Sequence, residues 1–358
     1  MLAQLIGWGP VKCFRGHSRI GDPNARSLYN LTVSLRVIAF AILQAFTPLH
    51  AEDAAAHTRA GADLLQHGDW EGAIRECKAA LAENPQYAAA HMFLGQAYLA
   101  QHSVSMVAEA KAELQQALDL DPNLLWARFY LAKIYIDVGQ NEKAKEQLER
   151  GLKDRPDVPL FLSLLGDVDR KLGDPEASLQ LNRKALAHDP AMTPAHYHIA
   201  LAYLDLKKED LAMRELEMAL DSPYVVPEIY LTLAPLYVER RRLDEAEALC
   251  KKAIALDRTR PEAHLGLARV YNAKGSSDQA LSTLKLVLPD ARSFPATAYY
   301  QQLQSDVYFE SGEAYEAKRM KAQAIDSYSR SLQLEPGREE ARHRLEKLGS
   351  AGGVRLIQ

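Results

Sequence analysis

An all-α repeat array is the fold class this sequence predicts, and two observations predict it. The first is three columns of small residues in register. One runs through Ala73, Ala110, Ala144, Ser178, Ala212, Ala246, Ala280 and Ala324, in steps of 37, 34, 34, 34, 34, 34 and 44 residues. A second keeps the same phase seven residues later, through Ala80, Ala117, Gly151, Ala185, Ala219, Ala253, Val287 and Ser331. The third passes through Gly61, Gly95, Ala132, Gly166, Ala200, Ala234, Ala268 and Gly312. A fixed period of this length is the signature of a solenoid, in which a single hairpin buries its apolar face only by stacking on its neighbours. The second observation is punctuation. Gly68, Gly139, Gly173 and Gly275 sit between paired apolar-periodic stretches, where a positive φ ends a helix cheaply. Pro85, Pro122, Pro156, Pro190 and Pro336 follow the second stretch, where a missing N–H stops propagation.

Taken in order, the chain opens with residues 1–51, read as a leader. Arg36 precedes the apolar run Val37–Phe46, and Thr47-Pro-Leu-His-Ala51 then leads into Glu52-Asp53. A basic flank, about ten apolar residues and a small residue at the exit are the parts of a secretory signal peptide. The run is shorter than the roughly 20 apolar residues a membrane span needs. The expectation is export to the periplasm or the extracellular space, with cleavage after Ala51. The alternative is an uncleaved inner-membrane anchor.

Residues 52–338 read as eight repeats of two amphipathic helices, with small columns where helix backbones approach closely. In the third repeat, Trp126–Val138 forms the first helix and Glu142–Lys153 the second. Two insertions break the period. Three extra residues fall within Gln101–Val107, and ten fall around Pro289–Gln304. The second is expected to lengthen the leading helix of the last repeat, because Ala296–Lys321 contains no proline and a single glycine. Residues 339–358 make a capping helix and tail, with Ala341, Leu345 and Leu348 as one narrow apolar stripe on a charged helix.

These residues resemble the tetratricopeptide-repeat family, whose hallmark is a 34-residue helical hairpin with a Leu-Gly or Leu-Ala pair, a Tyr, two later alanines and a closing Pro. Leu94-Gly95-Gln-Ala-Tyr98 and Leu131-Ala132-Lys-Ile-Tyr135 carry that pattern, as do Leu233-Ala234-Pro-Leu-Tyr237 and Leu267-Ala268-Arg-Val-Tyr271. The departures are Asp169 in place of Tyr, Arg258 in place of Pro, and Ser178 and Val287 in place of alanines. The resemblance implies a right-handed superhelix and a scaffold that binds a protein or peptide partner in its concave groove.

Charge and composition narrow the function. The formal net charge is −4, and without the leader's five basic residues and one acidic residue it becomes −8. An acidic, unclustered surface is the wrong footprint for nucleic acid. There is no phosphate-cradling glycine loop, no Cys-x-x-Cys and no Gly-x-Ser-x-Gly elbow. His196 and His198 are two apart on a helix and so face apart, unlike metal-binding pairs. Cys77 and Cys250 take a phase held elsewhere by Leu114, Leu148, Leu216 and Leu284, so they read as core residues. No enzyme, cofactor or metal is expected.

In the family the first helix of each repeat lines the groove. Helical spacing places there Met92, Gln96 and Leu99; Trp126, Phe129, Lys133 and Ile136; and Ser163, Asp167 and Arg170. Tyr197, Leu201 and Leu204 follow, then Leu231 and Val238, then Leu265, Arg269 and Asn272. Trp126 and Phe129 are the expected aromatic anchors. The cluster of Lys, Arg and Asn with which chaperone-binding relatives hold a peptide carboxylate is not reproduced. The function expected is an exported protein-interaction scaffold. The alternative is a membrane-anchored assembly factor for pilus, secretin or envelope biogenesis.

Overall fold

The computed structural model describes residues 50–101, 105–222, 225–287 and 297–350. Among them are seventeen helices and no strand. The helices pair into eight antiparallel hairpins, followed by one last helix. Helices α1 (His50–Gln66) to α8 form one compact unit, which ends at Pro190. Its other members are α2 (Trp70–Glu83), α3 (Ala88–Ala100), α4 (Met106–Leu120), α5 (Leu125–Asp137), α6 (Asn141–Asp154), α7 (Pro159–Lys171) and α8 (Pro175–His188).

The second unit begins at Ala191. It holds α9 (Thr193–Asp205), α10 (Glu209–Leu220), α11 (Pro227–Glu239), α12 (Leu243–Leu256), α13 (Pro261–Ala273), α14 (Ser277–Val287), α15 (Ala298–Ala317), α16 (Lys321–Leu334) and α17 (Glu339–Ser350). The apolar run 37–46 lies outside the described residues, as do most of the leader, His102–Val104 of the first insertion, residues 288–296 in and beside the second, and the tail beyond Ser350. Helix α1 starts at His50, two residues ahead of the expected start of the array. Among the described residues, no helix is long and apolar enough to cross a membrane.

The small columns are where helices touch. Every residue of the first column is fully buried. A Cβ added at Gly95 would lie 2.7 Å from Leu114 Cγ and 3.0 Å from the Ala110 carbonyl oxygen, so backbone meets backbone there. Asp169, which replaces the column tyrosine, is buried too, and Lys145 neutralises it from the paired region of α6 at 2.8 Å. Cys77 and Cys250 are buried free thiols, each pushed up to about 12 by burial, and are therefore inert packing residues.

At the described turns inside the hairpins, Gly68, Gly139, Gly173 and Gly275 have φ between +73° and +93°. Lys207, Arg241 and Arg319 hold the same position with φ of 58–59°. The following amide closes the turn on the carbonyl five residues back, as in Gln140 N to Tyr135 O at 2.8 Å and Lys208 N to Tyr203 O at 2.8 Å. Helix starts are fixed by Asp69 and Asp174, each accepting a backbone N–H at 2.8 Å, and by proline in the first turn of α7–α9, α11 and α13. The second insertion extends α15 to 20 residues, against 13 for α13.

Candidate functional site

Within each unit the first helices of successive hairpins lie side by side. In the first unit α1 touches α3 and α3 touches α5; in the second, α11 touches α13 and α13 touches α15. Each therefore contributes a strip to a shared face, and the residue after each third-column position falls on that strip.

In the first unit the strip has an aromatic floor. The ring of Phe129 lies 5.5 Å from Trp126, 5.7 Å from Tyr130 and 5.5 Å from Phe161 of the next repeat. Met92 and Phe129 are only 7% and 9% exposed and belong to the hydrophobic cluster beneath the face. Ser163 and Asp167 are also buried. Gln96, Leu99, Trp126, Lys133, Ile136 and Arg170 keep part of their surface. Trp126, not Phe129, thus presents the aromatic surface.

Charges on this floor are strained by dehydration. Burial pushes the Lys133 ammonium down to about 8 against the attraction of Asp137, and pushes Asp137 up to about 6 against Lys133 and Lys171. One repeat on, Asp167 takes Arg170 at 3.1 Å and Lys171 at 2.9 Å.

In the second unit the strip begins apolar. Tyr197, Leu201, Leu204, Leu231 and Val238 are all half-buried. Leu265 is buried in a cluster with Leu303 and Val307 of α15. The polarity then changes. Val238, Arg269 and Asn272 meet α15 and α17 around a cleft of about 630 Å³, completed by Ala273, Glu310, Glu313, Glu316, Ala317 and Arg344. Glu310 is buried, and it accepts from Arg269 Nε at 2.8 Å and Asn272 Nδ2 at 2.9 Å. Arg344 forks to Glu313 at 2.9 Å and Glu316 at 3.4 Å. Tyr328 donates to Glu316 at 2.9 Å.

Val238, Arg269 and Asn272 were legible as inward residues, whereas Glu310, Glu313, Glu316 and Arg344 were not among those read from the spacing. The 44-residue step hid them. Glu313 follows Gly312 as Arg269 follows Ala268, so counting from the column instead of by a fixed 34 finds it.

His196 is buried and its Nδ1 lies 2.7 Å from Glu215 Oε2, while His198 faces Tyr197 with ring centroids 6.0 Å apart. Among the described residues no group of three or more His, Cys, Asp or Glu is placed to hold a metal ion.

Family models described as tetratricopeptide repeat match residues 64–105, 106–168 and 237–307, and a second such model matches 305–338; together they cover more than half of the chain. The chain belongs to the tetratricopeptide-repeat family. Its fold is the family's all-α helical-repeat solenoid, and as such a protein it is a protein-interaction scaffold, in a family whose members are typically non-enzymatic scaffolds.

Two relatives are similar over much of the chain. The antiviral innate immune response effector IFIT1 of Macaca fascicularis is 24% identical over 262 aligned residues, in a match that covers 62% of this chain and 55% of that protein. The TPR repeat-containing protein YpiA of Bacillus subtilis (strain 168) is 25% identical over 233 residues, 65% of this chain and 54% of that protein. The chain thus spans about half the length of the curated relatives it matches. Among solved structures, the APC/C hetero-tetramer Cut9–Hcn1 superposes with a TM-score of 0.58 at 15% identity, covering 88% of this chain and 60% of that one. At that identity the likeness speaks for the fold alone.

Proposed function

We propose that this tetratricopeptide-repeat protein binds an extended or helical segment of a protein partner along the face built by its first helices, and that it does so after export. The observation that carries the first part is the row of half-exposed side chains on those helices. Leu99, Trp126 and Ile136 in the first unit and Tyr197, Leu201, Leu204 and Leu231 in the second leave apolar surface on one strip of each unit. Interfaces draw most of their energy from a few such anchors, with large aromatics foremost. Buried Phe129 packs against Trp126 beneath the strip, in a cluster that also includes Met92. The case for export rests on the sequence of residues 36–53, a basic flank, an apolar run and a small residue before Glu52.

Site-specific crosslinking tests the binding face. A photoreactive residue placed at Leu99, Ile136 or Leu201 in the native host should capture one recurring partner. The same residue at exposed Lys184 or Lys252 on second helices should not. Equal capture from both sets of positions would refute the face as the binding surface. N-terminal sequencing of the envelope fraction should begin at Glu52; a chain retaining Arg36 in membranes would favour the anchored reading.

A further inference from the structure

We propose that the cleft between α13, α15 and α17 is the seat of a lysine or arginine side chain of the bound segment. This rests on the reading that the first-helix face binds protein, and it specifies the chemistry of the partner at one place.

The space comes from two consecutive alanines. Five residues after the third column, the third to sixth repeats carry Asp137, Lys171, Asp205 and Glu239, but the seventh and eighth carry Ala273 and Ala317. Truncation at two neighbouring repeats opens the cleft, and Val238 gives it one apolar wall. Such a wall suits the methylene stem of a long basic side chain.

The charges in the cleft select the ligand's sign. Three carboxylates face two guanidinium groups. Both guanidinium groups are engaged: Arg269 with Glu310 at 2.8 Å and with Asp306 at 3.4 Å, Arg344 with Glu313 and Glu316. An anion entering here would have to break these pairs and leave a carboxylate uncompensated, which costs more than the new contact returns. A cation meets a surplus of acceptors instead. Glu313 feels that surplus, since burial and the neighbouring Glu310 and Glu316 hold its carboxyl above the usual range despite Arg344. Asn272 holds Glu310 in place. Its Nδ2 donates to Glu310, while its buried Oδ1 accepts no hydrogen bond within the protein. That oxygen is shielded from solvent, so it belongs to the packing around Glu310 and not to the open surface of the cleft.

Fluorescence anisotropy on the full-length protein tests this with capped nine-residue peptides on one serine–leucine background, differing only in a central Lys, Arg, Leu or Glu. The Lys and Arg peptides should bind about tenfold tighter than the Glu peptide, as charge-assisted hydrogen bonds imply. That preference should shrink with added salt. It should collapse towards unity in Glu313→Gln and persist in Glu346→Gln, an exposed carboxylate of α17. Melting curves for both variants report whether the fold survives. If Glu313→Gln unfolds the last repeat, Ala317→Gln, which fills the cleft without removing a charge, should abolish the preference instead. Binding without regard to central charge, or a preference untouched by Glu313→Gln and Ala317→Gln, overturns the cation seat while leaving the binding face intact. Failure of every peptide to bind overturns the seat as well, and the crosslinking pattern then decides the face separately.

Discussion

At the turn inside its hairpins, the first unit places glycine at each of its three described positions, whereas the second places Lys207, Arg241 and Arg319 at three of its four. Both sets adopt the same left-handed backbone and the same closing hydrogen bond. The units differ again where repeats meet. Between the third and fourth repeats, Trp126 and Val158 pack against the hydrophobic cluster. Between the sixth and seventh, the equivalent positions are Glu228 and Arg260, a pair 2.8 Å apart with both side chains under 10% exposed. Arg260 Nε also lies 3.6 Å from Glu262. The hairpin geometry is thus set by the small columns and the turn, and the chemistry joining one hairpin to the next is free to change from apolar to ionic.

The inner face repeats this contrast. Lys133 of the first unit has its counter-charge, Asp137, one turn away on its own helix, so dehydration acts on both. Arg269, the residue in the same register of the second unit, reaches across to Glu310 on the next first helix. Pairing across helices ties neighbouring repeats together; pairing along one helix does not.

The buried pair offers the largest test of the comparison. Glu228→Ala leaves a buried guanidinium without its main partner and should cost about 3–5 kcal/mol in urea unfolding. Replacing the pair by the residues the fourth repeat uses at these positions, Glu228→Leu with Arg260→Val, should restore most of that loss, because apolar pairs often match buried ion pairs. A double variant as unstable as the single one would show that the second unit needs its ionic joint.

The inner-face charges give a smaller, pH-dependent effect. Between about pH 4 and 6 the folded chain keeps a proton on Asp137 that the unfolded chain has lost, so this group lowers stability as pH rises through that window. Comparison with Asp137→Asn should reveal a contribution on the order of 1 kcal/mol that is absent below about pH 4. Lys133 acts in the opposite direction at high pH. The folded chain sheds its proton near 8 while the unfolded chain holds it to about 10, so stability should rise across that range and cease to do so in Lys133→Met. Parallel pH profiles for the wild type and both variants would refute the dehydration of this pair.

The turn column gives the smallest effect. Arg241→Gly removes the steric cost of a side chain in the left-handed region and should raise stability by about 0.5–1 kcal/mol, while Gly139→Lys should lower it by a similar amount. Thermal unfolding of the two variants checks both signs. If Arg241→Gly is neutral or destabilising, the cation at that turn contributes more than its backbone costs.

Most of the fold was legible because it depends on what a period can encode. Small residues at Ala144 and Gly95 mark close backbone approach wherever they stand, and neighbours 34 residues apart reinforce one another. The site was less legible. Lys207, Arg241 and Arg319 give no turn signal of the glycine kind, and the tyrosine carbonyl behind each of them completes the turn. Phe129 and Met92 share the helical spacing of groove residues, but spacing does not say how far a neighbouring ring covers a side chain; Phe161 from the next repeat does that for Phe129.

By itself the sequence determined the all-α class, eight hairpins, the buried columns and the lengthened α15, since each follows from local helix rules and from a repeat that must bury its face on the next. Only the tertiary structure decided which inward residues keep surface, which charges lose their water, and that Arg269, Glu310, Glu313 and Arg344 enclose one cleft. Those outcomes depend on contacts between helices separated by 30 residues or more, as in Arg344 to Glu313 and Arg269 to Glu310. Burial and electrostatics at such contacts are properties of the neighbours brought together, not of the segment that carries the residue.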